Sequence, residues 1–183
     1  SERMRNVINK KLSEEEIYAP VQYAKEGGLK GLKLYGMVGL PTEDDVDIEA
    51  TIDLLLRIKR KTSGLRLTLG VSTFVPKAHT PFQWNGVRPE AKKRLKLLAK
   101  HLKPQGIQLR PESYTSSVIQ ALISRSDRRL APVIALLRGS QNNLGSWKNA
   151  YQAIQEQKMV NESDPSISLA KLPTWQEVIH QTW

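Results

Sequence analysis

Hydrophobic and polar positions in the first part of the chain switch repeatedly between helical and strand spacing. Apolar residues recur every three or four positions in three segments, which is typical of helices. Each of these segments is followed by one in which apolar residues alternate or run together, which is typical of strands. In chain order the predicted elements are a helix from 13 to 26, a strand from 32 to 38, a helix from 42 to 61, a strand from 65 to 75, a helix from 89 to 102 and a strand from 107 to 109. Connections of this length place strands parallel with helices on the outer face. The pattern predicts an α/β fold.

Residues that start and stop helices mark the ends of these segments. Ser13 followed by Glu16 predicts a capping box, and Thr42 is expected to cap the second helix, with Glu43 in its first turn. The buried stripe predicted for that second helix is Val46, Ile48, Ile52, Leu55, Leu56 and Ile58. Three strands cannot close a barrel, so the sheet is expected to be part of a barrel or of an open sheet.

From Ser113 onward the strand signals stop. Two short helices are predicted over 113–126 and 127–139, another over about 147–158, and a last one near Thr174. The predicted division is therefore an α/β domain over 1–112 and a helical extension over 113–183.

Composition narrows the classes of protein. The chain has 183 residues, no cysteine and a formal charge of +10. Disulfides, thiolate nucleophiles and cysteine-ligated metal clusters within the chain are excluded. His79, His101 and His180 lack metal-ligand spacing, so no metal site is expected. With no membrane span or signal peptide visible, we expect a cytoplasmic protein, and a start at Ser1 within a helix indicates a fragment.

Much of the positive charge falls on two predicted helices. The basic residues are Arg57, Lys59, Arg60, Lys61, Lys92, Lys93, Arg94, Lys96, Lys100 and Lys103. They indicate either solvated helix faces or a basic rim that binds RNA or a phosphorylated substrate. No aromatic residues interleave with these charges, which favours solvated faces.

Three segments could carry chemistry. Gly36 and Gly39 lie where a strand turns into a helix, which permits close approach of a ligand or makes a tight connection without one. The loop over 74–84 offers Lys77 and His79 for an anion or a proton, or is a packed proline-bounded loop. The third segment, 124–129, reads SRSDRR and indicates a helix cap with a local ion pair more strongly than an anion clamp.

Four segments in one order resemble the radical S-adenosylmethionine (radical SAM) enzymes, in the group with an N-terminal cobalamin-binding-like domain. They read SERMRNVINK from residue 1, KLYGMVGLPTEDDVDI from 33, VSTFVPKAHTPFQW from 71 and ALISRSDRRLAPVI from 121. The first two are similar to the regions after the fourth and fifth barrel strands, and the third to the sixth strand and its exit. The resemblance implies the C-terminal half of a parallel β/α barrel followed by a helical extension.

The resemblance also implies cofactors and site residues. The complete enzymes hold a [4Fe–4S] cluster through three cysteines and cleave S-adenosylmethionine, so this chain without cysteine is expected to be inactive alone. Met37, Val38, Gly39, Glu43 and Phe74 are expected on the cofactor side, mainly through backbone at the adenine. The substrate side is expected to include Lys77 and His79, and the remnant of the ribose and methionine segment to be Ser1 and Glu2.

The sequence thus predicts a piece of an iron–sulfur oxidoreductase or radical transferase whose substrate it does not reveal. The alternative is a basic module that binds RNA or a protein partner. The expected partners are the missing N-terminal half of the barrel and a second copy of the chain.

Overall fold

The computed structural model describes residues 1–160, with side chains up to Glu156. Its helices are α1 (Glu2–Val7), α2 (Glu14–Glu26), α3 (Asp45–Lys61), α4 (Glu90–Leu102), α5 (Tyr114–Arg125), α6 (Ala131–Leu136) and α7 (Leu144–Val160). Its strands are β1 (Gly31–Val38), β2 (Arg66–Thr73) and β3 (Gln108–Pro111), and single 3₁₀ turns span Lys103–Gln105 and Arg128–Leu130. The helix predicted near Thr174, together with Trp175, His180 and Trp183, lies outside the described residues.

The chain divides into two compact units. The first unit contains Ser1–Phe74 and Arg88–Glu112, and the second contains the loop Val75–Val87 and the described residues 113–160. The sequence assigned the loop 75–87 to the α/β domain, whereas in the structure this loop belongs to the second unit. The predicted domain boundary between residues 112 and 113 coincides with a boundary between the units.

A three-stranded parallel sheet forms the centre of the first unit. Its order is β1-β2-β3, with Leu34 opposite Leu69 and Leu69 opposite Leu109. The apolar sides of these strands face the helices, whose side chains Ile58 and Leu98 are almost fully buried. The prediction of an α/β fold with parallel strands is confirmed, and the sheet is open within residues 1–160.

The start of α3 differs from the prediction. Asp44, and not Thr42, is the N-cap, and its side chain forms a capping box with Asp47. Thr42 instead adopts a left-handed φ of 64° in the preceding turn. The prediction that Val46 is buried was wrong, because its side chain is 70% exposed while Asp47 faces inward. The capping box of Ser13 and Glu16 on α2 is confirmed.

The basic face predicted for α4 also needs a correction. Arg94 is only 4% exposed and follows the same stripe as Ala91, Leu98 and Leu102, so it belongs to the interior of the first unit. The exposed lysines of α4 are those at 92, 93, 96 and 100, and Glu90 at its start is exposed as well.

The second unit has its own hydrophobic core. Val87 from the loop and Val118 and Leu122 from α5 are packed with Val133 of α6 and Tyr151 of α7. This cluster explains why a loop distant in sequence belongs with these helices. Over residues 1–160, no helix has the length and apolarity needed to cross a membrane.

Candidate functional site

The predicted cofactor residues gather at the carboxyl end of the sheet. Val38 ends β1 directly opposite Thr73 at the end of β2, and Met37 lies opposite Ser72. The N–H of Phe74 donates to the carbonyl of Val38 at 2.8 Å, which extends the pairing by one residue. Strand ends at this edge are where α/β proteins place functional groups.

Gly39 makes the turn that leaves β1. Its φ is +80°, a conformation that costs residues with a side chain free energy. A Cβ on Gly39 would also lie 2.9 Å from the Cβ of Ala91 on α4. Glycine is therefore required here both by backbone conformation and by close packing of the turn against α4.

A buried carboxylate closes this turn. The N–H of Gly39 donates to Oε2 of Glu43 at 2.6 Å, and Nη1 of Arg94 donates to the same oxygen at 2.7 Å. Burial raises the pKa of Glu43, against the opposing effects of the Gly39 N–H and the Arg94 guanidinium. Because both side chains are about 95% removed from solvent, the pair fixes the turn from inside the fold.

Three arginines bind the carbonyl groups of the turn. Arg94 donates to the carbonyl of Glu43 at 2.8 Å, and Arg88 donates to the same carbonyl at 3.1 Å. Arg3 of α1 donates to the carbonyl of Thr42 at 2.8 Å. These contacts join the turn to α4 and α1, so the edge of the sheet has a fixed shape without a ligand.

Asp47 links the start of the chain to α3. Arg3 forms an ion pair with Asp47, and the hydroxyl of Ser1 donates to its Oδ1 at 2.6 Å. Burial alone would raise the pKa of Asp47, but the hydrogen bonds from Arg3 and Ser1 outweigh it and hold the pKa well below its usual range. Ser1 is thus held near the predicted cofactor edge, whereas Glu2 is exposed.

One face of the sheet carries polar and exposed side chains, which we call the uncovered face. Its side chains are those of Lys33, Tyr35, Met37, Arg66, Thr68, Ser72, Gln108 and Arg110, which alternate with buried or half-buried positions of β1, β2 and β3. The buried Gly70 occupies the same face without a side chain. The Tyr35 ring is 78% exposed and lies along the sheet where Gly70 provides space. The Nζ atom of Lys33 is 4.7 Å from the centre of that ring.

The two predicted substrate residues belong to the second unit. Lys77 and His79 are both exposed in the loop 75–87. His79 adopts a left-handed φ of 61°, and its N–H donates to Oε1 of Gln83 at 3.1 Å. The carbonyl of Lys77 accepts the hydroxyl of Thr80 at 2.7 Å. In the segment 124–129, Arg129 pairs with Asp127, the local ion pair that the sequence favoured.

Sequence reasoning missed the side chains that hold the turn: Arg3, Asp47, Arg88 and Arg94. A signal existed for Arg94, because it shares the three-to-four residue spacing of the buried stripe of α4. Arg3 and Arg88 are connected to the turn by contacts over 39 or more positions, which local spacing does not reveal. Asp47 has a local signal in its capping box with Asp44, but its ion pair with Arg3 does not. Within residues 1–160, no group of three or more His, Cys, Asp or Glu could hold a metal ion.

Comparisons with known proteins give one informative match. The chain is 36% identical over 131 residues to a protein named uncharacterized protein MJ0966 from Methanocaldococcus jannaschii. The match covers 72% of this chain and 29% of the relative, so the chain spans less than a third of that protein. No family model matches the chain. No solved structure matches it either.

Proposed function

We propose that the chain is the C-terminal half of a radical SAM barrel and supplies the adenine side of an S-adenosylmethionine site. The complete protein is then an iron–sulfur oxidoreductase or radical transferase. The observation that carries the proposal is the turn over 39–43, at the carboxyl end of β1 beside the end of β2. Its left-handed glycine and buried Glu43–Arg94 pair form a shaped edge before any ligand arrives.

The uncovered face supports a half barrel. Inward-facing residues of a barrel strand alternate with residues that face the outer helices. Tyr35 and Met37 on β1 and Ser72 on β2 have this alternation, and they lie on the side without apolar packing. A polar inner face suits a barrel that encloses a charged cofactor and substrate.

The chemistry of the strand end indicates which group contacts adenine. The N–H of Gly39 is bonded to Glu43, and the carbonyl of Val38 is bonded to Phe74. Those backbone groups serve the fold, so the contact falls to the side chain of Met37, which is 44% exposed on the uncovered face. A thioether makes favourable contacts with aromatic rings.

The iron–sulfur cluster does not fit this chain. Such clusters are held by thiolates, and the sequence contains no cysteine. In the proposal the cluster belongs to the part of the longer protein that precedes the half barrel. No step through the cluster follows from the residues of this chain, whose roles are to shape and line the cofactor edge.

The coding sequence upstream of Ser1 gives the first test. We expect three cysteines spaced CxxxCxxC in the protein that contains this chain. After anaerobic reconstitution, that protein should bind iron and release 5′-deoxyadenosine from S-adenosylmethionine, and the 183-residue chain alone should do neither. Absence of the cysteines, or cluster binding by the isolated chain, would overturn the proposal.

A substitution at Met37 tests the residue-level role. In the longer protein, Met37→Lys should weaken S-adenosylmethionine binding by about three- to tenfold, because it removes a sulfur–aromatic contact. Val46→Lys places the same charge at an exposed apolar position of α3 and is the matched control. Equal affinities for the two variants in equilibrium dialysis would remove Met37 from the site.

Exposed lysines on α4 favour a second candidate function, RNA binding. Lys92, Lys93, Lys96 and Lys100 are all exposed on one helix. If they contact phosphates, replacing them with alanine should reduce the dependence of log affinity on log salt by close to one per lost contact. Replacing Lys10, Lys11 and Lys30 instead removes charge elsewhere on the first unit. An unchanged salt slope in the α4 variant would reject this function.

A further inference from the structure

A small cavity in the second unit lies between the loop 75–87 and the end of α5. Its volume is about 210 Å³, and its lining residues are Pro76, Ala78, Gln83, Trp84, Ser124 and Arg125. Sites for drug-sized ligands span roughly 300–1,000 Å³. The cavity is therefore smaller than such a site and suits a part of a nucleotide-sized ligand.

The cavity combines an aromatic face with a cationic group. Trp84 is 57% exposed although it lines a concave surface, so its indole is accessible to a ligand. Arg125 is half-buried, and its Nη1 donates to the carbonyl of Asn85 at 3.0 Å. That bond orients the guanidinium, and burial lowers the pKa of Arg125. Indole faces stack on bases, and guanidinium groups bind phosphates.

The remaining lining groups can read the edge of a ring. Oε1 of Gln83 accepts the N–H of His79 at 3.1 Å, which directs the amide nitrogen of Gln83 as its donor. The hydroxyl of Ser124 lies 2.8 Å from the carbonyl of Gln120 and is held at the cavity wall. A polar edge beside an aromatic face is the arrangement that single bases require.

Among the residues that the structure describes, the charged groups of the loop 75–87 and of α5 favour an anion. The loop 75–87 contains Lys77 and His79 and no carboxylate, and α5 contains no carboxylate. Asp127 follows α5, but both of its carboxylate oxygens accept from Nε of Arg129. An anionic ligand at Arg125 would thus meet cationic and neutral groups on the loop and on α5.

We propose that this cavity is a nucleotide subsite, in which Trp84 stacks on the base, Gln83 hydrogen-bonds its edge and Arg125 binds the phosphate. This subsite rests on the proposed function in one respect, namely that the bound nucleotide is part of the substrate of the proposed enzyme. The base and phosphate can come from a free nucleotide or from one unit of an RNA strand.

Titration of the ¹⁵N-labelled 183-residue chain with AMP, UMP and a short oligouridine tests the subsite. Trp84→Phe identifies the indole N–H signal of Trp84 and retains a stacking ring. We expect this signal to shift with nucleotides in the wild type. Titration with the oligouridine distinguishes an RNA strand from a free nucleotide as the natural ligand. If the site binds a strand, the oligouridine should bind more tightly than UMP, and if it binds a free nucleotide, it should not. Uridine without phosphate should bind more weakly than UMP.

Variants then assign the contacts. Trp84→Ala and Arg125→Gln should each weaken binding by about tenfold or more, since one stacked base or one charge-assisted bond is lost. Arg128→Gln removes an exposed arginine of the same segment and is expected to change little. If Arg125→Gln disturbs the loop 75–87, the titration of the wild-type chain still shows whether nucleotides bind at Trp84. A Trp84 signal that no probe moves, or oligonucleotide shifts confined to α4, would overturn the subsite. Neither result bears on cluster or S-adenosylmethionine binding.

Discussion

At the residue scale, Gly39 is subject to two constraints, a left-handed backbone conformation and close packing against Ala91. Alanine substitution here and at a control glycine separates their contributions. Gly39→Ala should destabilise the chain by about 2–5 kcal/mol, because it adds left-handed strain of about 1–2 kcal/mol to overpacking against Ala91 of about 1–3 kcal/mol. Urea unfolding followed by circular dichroism measures the change.

Gly64 provides the matched control for this prediction. Its φ is +87°, close to that of Gly39, but no heavy atom lies within 4 Å of its would-be Cβ. Gly64→Ala should therefore lose only the backbone contribution of about 1–2 kcal/mol. If both variants lose the same free energy of unfolding, the contact with Ala91 has no energetic role.

The Glu43–Arg94 pair should behave as one buried unit. Arg94→Met leaves the carboxylate of Glu43 inside the fold without its cation, which should lower the free energy of unfolding by about 3–5 kcal/mol. The double variant Glu43→Leu with Arg94→Met removes both charges and should be more stable than Arg94→Met.

The surface pair Arg57–Glu14 is the comparison for this prediction. It is partly exposed, and pairs of this kind contribute about 0–1 kcal/mol. Arg57→Met should thus change stability little. A double variant at 43 and 94 that is less stable than Arg94→Met would argue against a shared unit.

The lowered pKa of Asp47 predicts acid sensitivity. Because the folded state holds this carboxylate ionised, the unfolded chain binds a proton more readily than the folded one. The stability from Asp47 is present above its unfolded pKa of about 3.9 and is lost as pH falls below that value. Asp47→Asn should flatten this part of the pH profile in urea titrations, and Asp53→Asn, an exposed position on α3, should not.

At the element scale, the sheet derives its two faces from strict alternation. Leu67, Leu69 and Val71 on β2 are buried, whereas Arg66 is exposed and Thr68 is partly exposed. The register places equivalent positions of β1 beside them, so polar side chains extend from strand to strand on one face. A sheet of this kind fits a structure in which that face borders a polar interior.

Regular elements were predictable because their causes are local. The capping box at Ser13 and the alternation in β2 are encoded in short stretches, and the order of helices and strands follows from them. The start of α3 was not predictable from Thr42, because Asp44 competes as the cap and Thr42 adopts a left-handed turn. Val46 is exposed since Asp47 takes the inward direction to bind Arg3.

The candidate site was predictable only in position. The glycine turn at the end of β1 was visible as a motif, and the register confirms that it lies beside the end of β2. The pairing of Glu43 with Arg94 spans 51 positions of sequence, so charge alone made Arg94 look like a surface residue. Trp84 and Arg125 share a cavity for a similar reason, because the second unit brings a loop and a helix together.

At the scale of the whole molecule, β1 is an edge strand of the sheet that residues 1–160 form. The carbonyls of Lys30 and Val38 accept hydrogen bonds from the N–H groups of Arg66 and Phe74, respectively, on the side of β2. In a parallel pair, alternate residues direct their backbone groups to the same side, so Lys33 and Tyr35 direct theirs away from β2. An edge strand with such groups can pair with another chain.

We therefore predict that the 183-residue chain self-associates through β1 as its concentration rises. Lys33→Pro removes an outward N–H without breaking the ladder to β2, so it should lower the average mass measured by light scattering. Lys33→Ala removes the same charge but keeps the N–H, and it should associate like the wild type. A wild-type chain that stays monomeric at high concentration would exclude this edge as a pairing surface. Because the proposed N-terminal half would occupy the same edge, the longer protein should show no such concentration dependence.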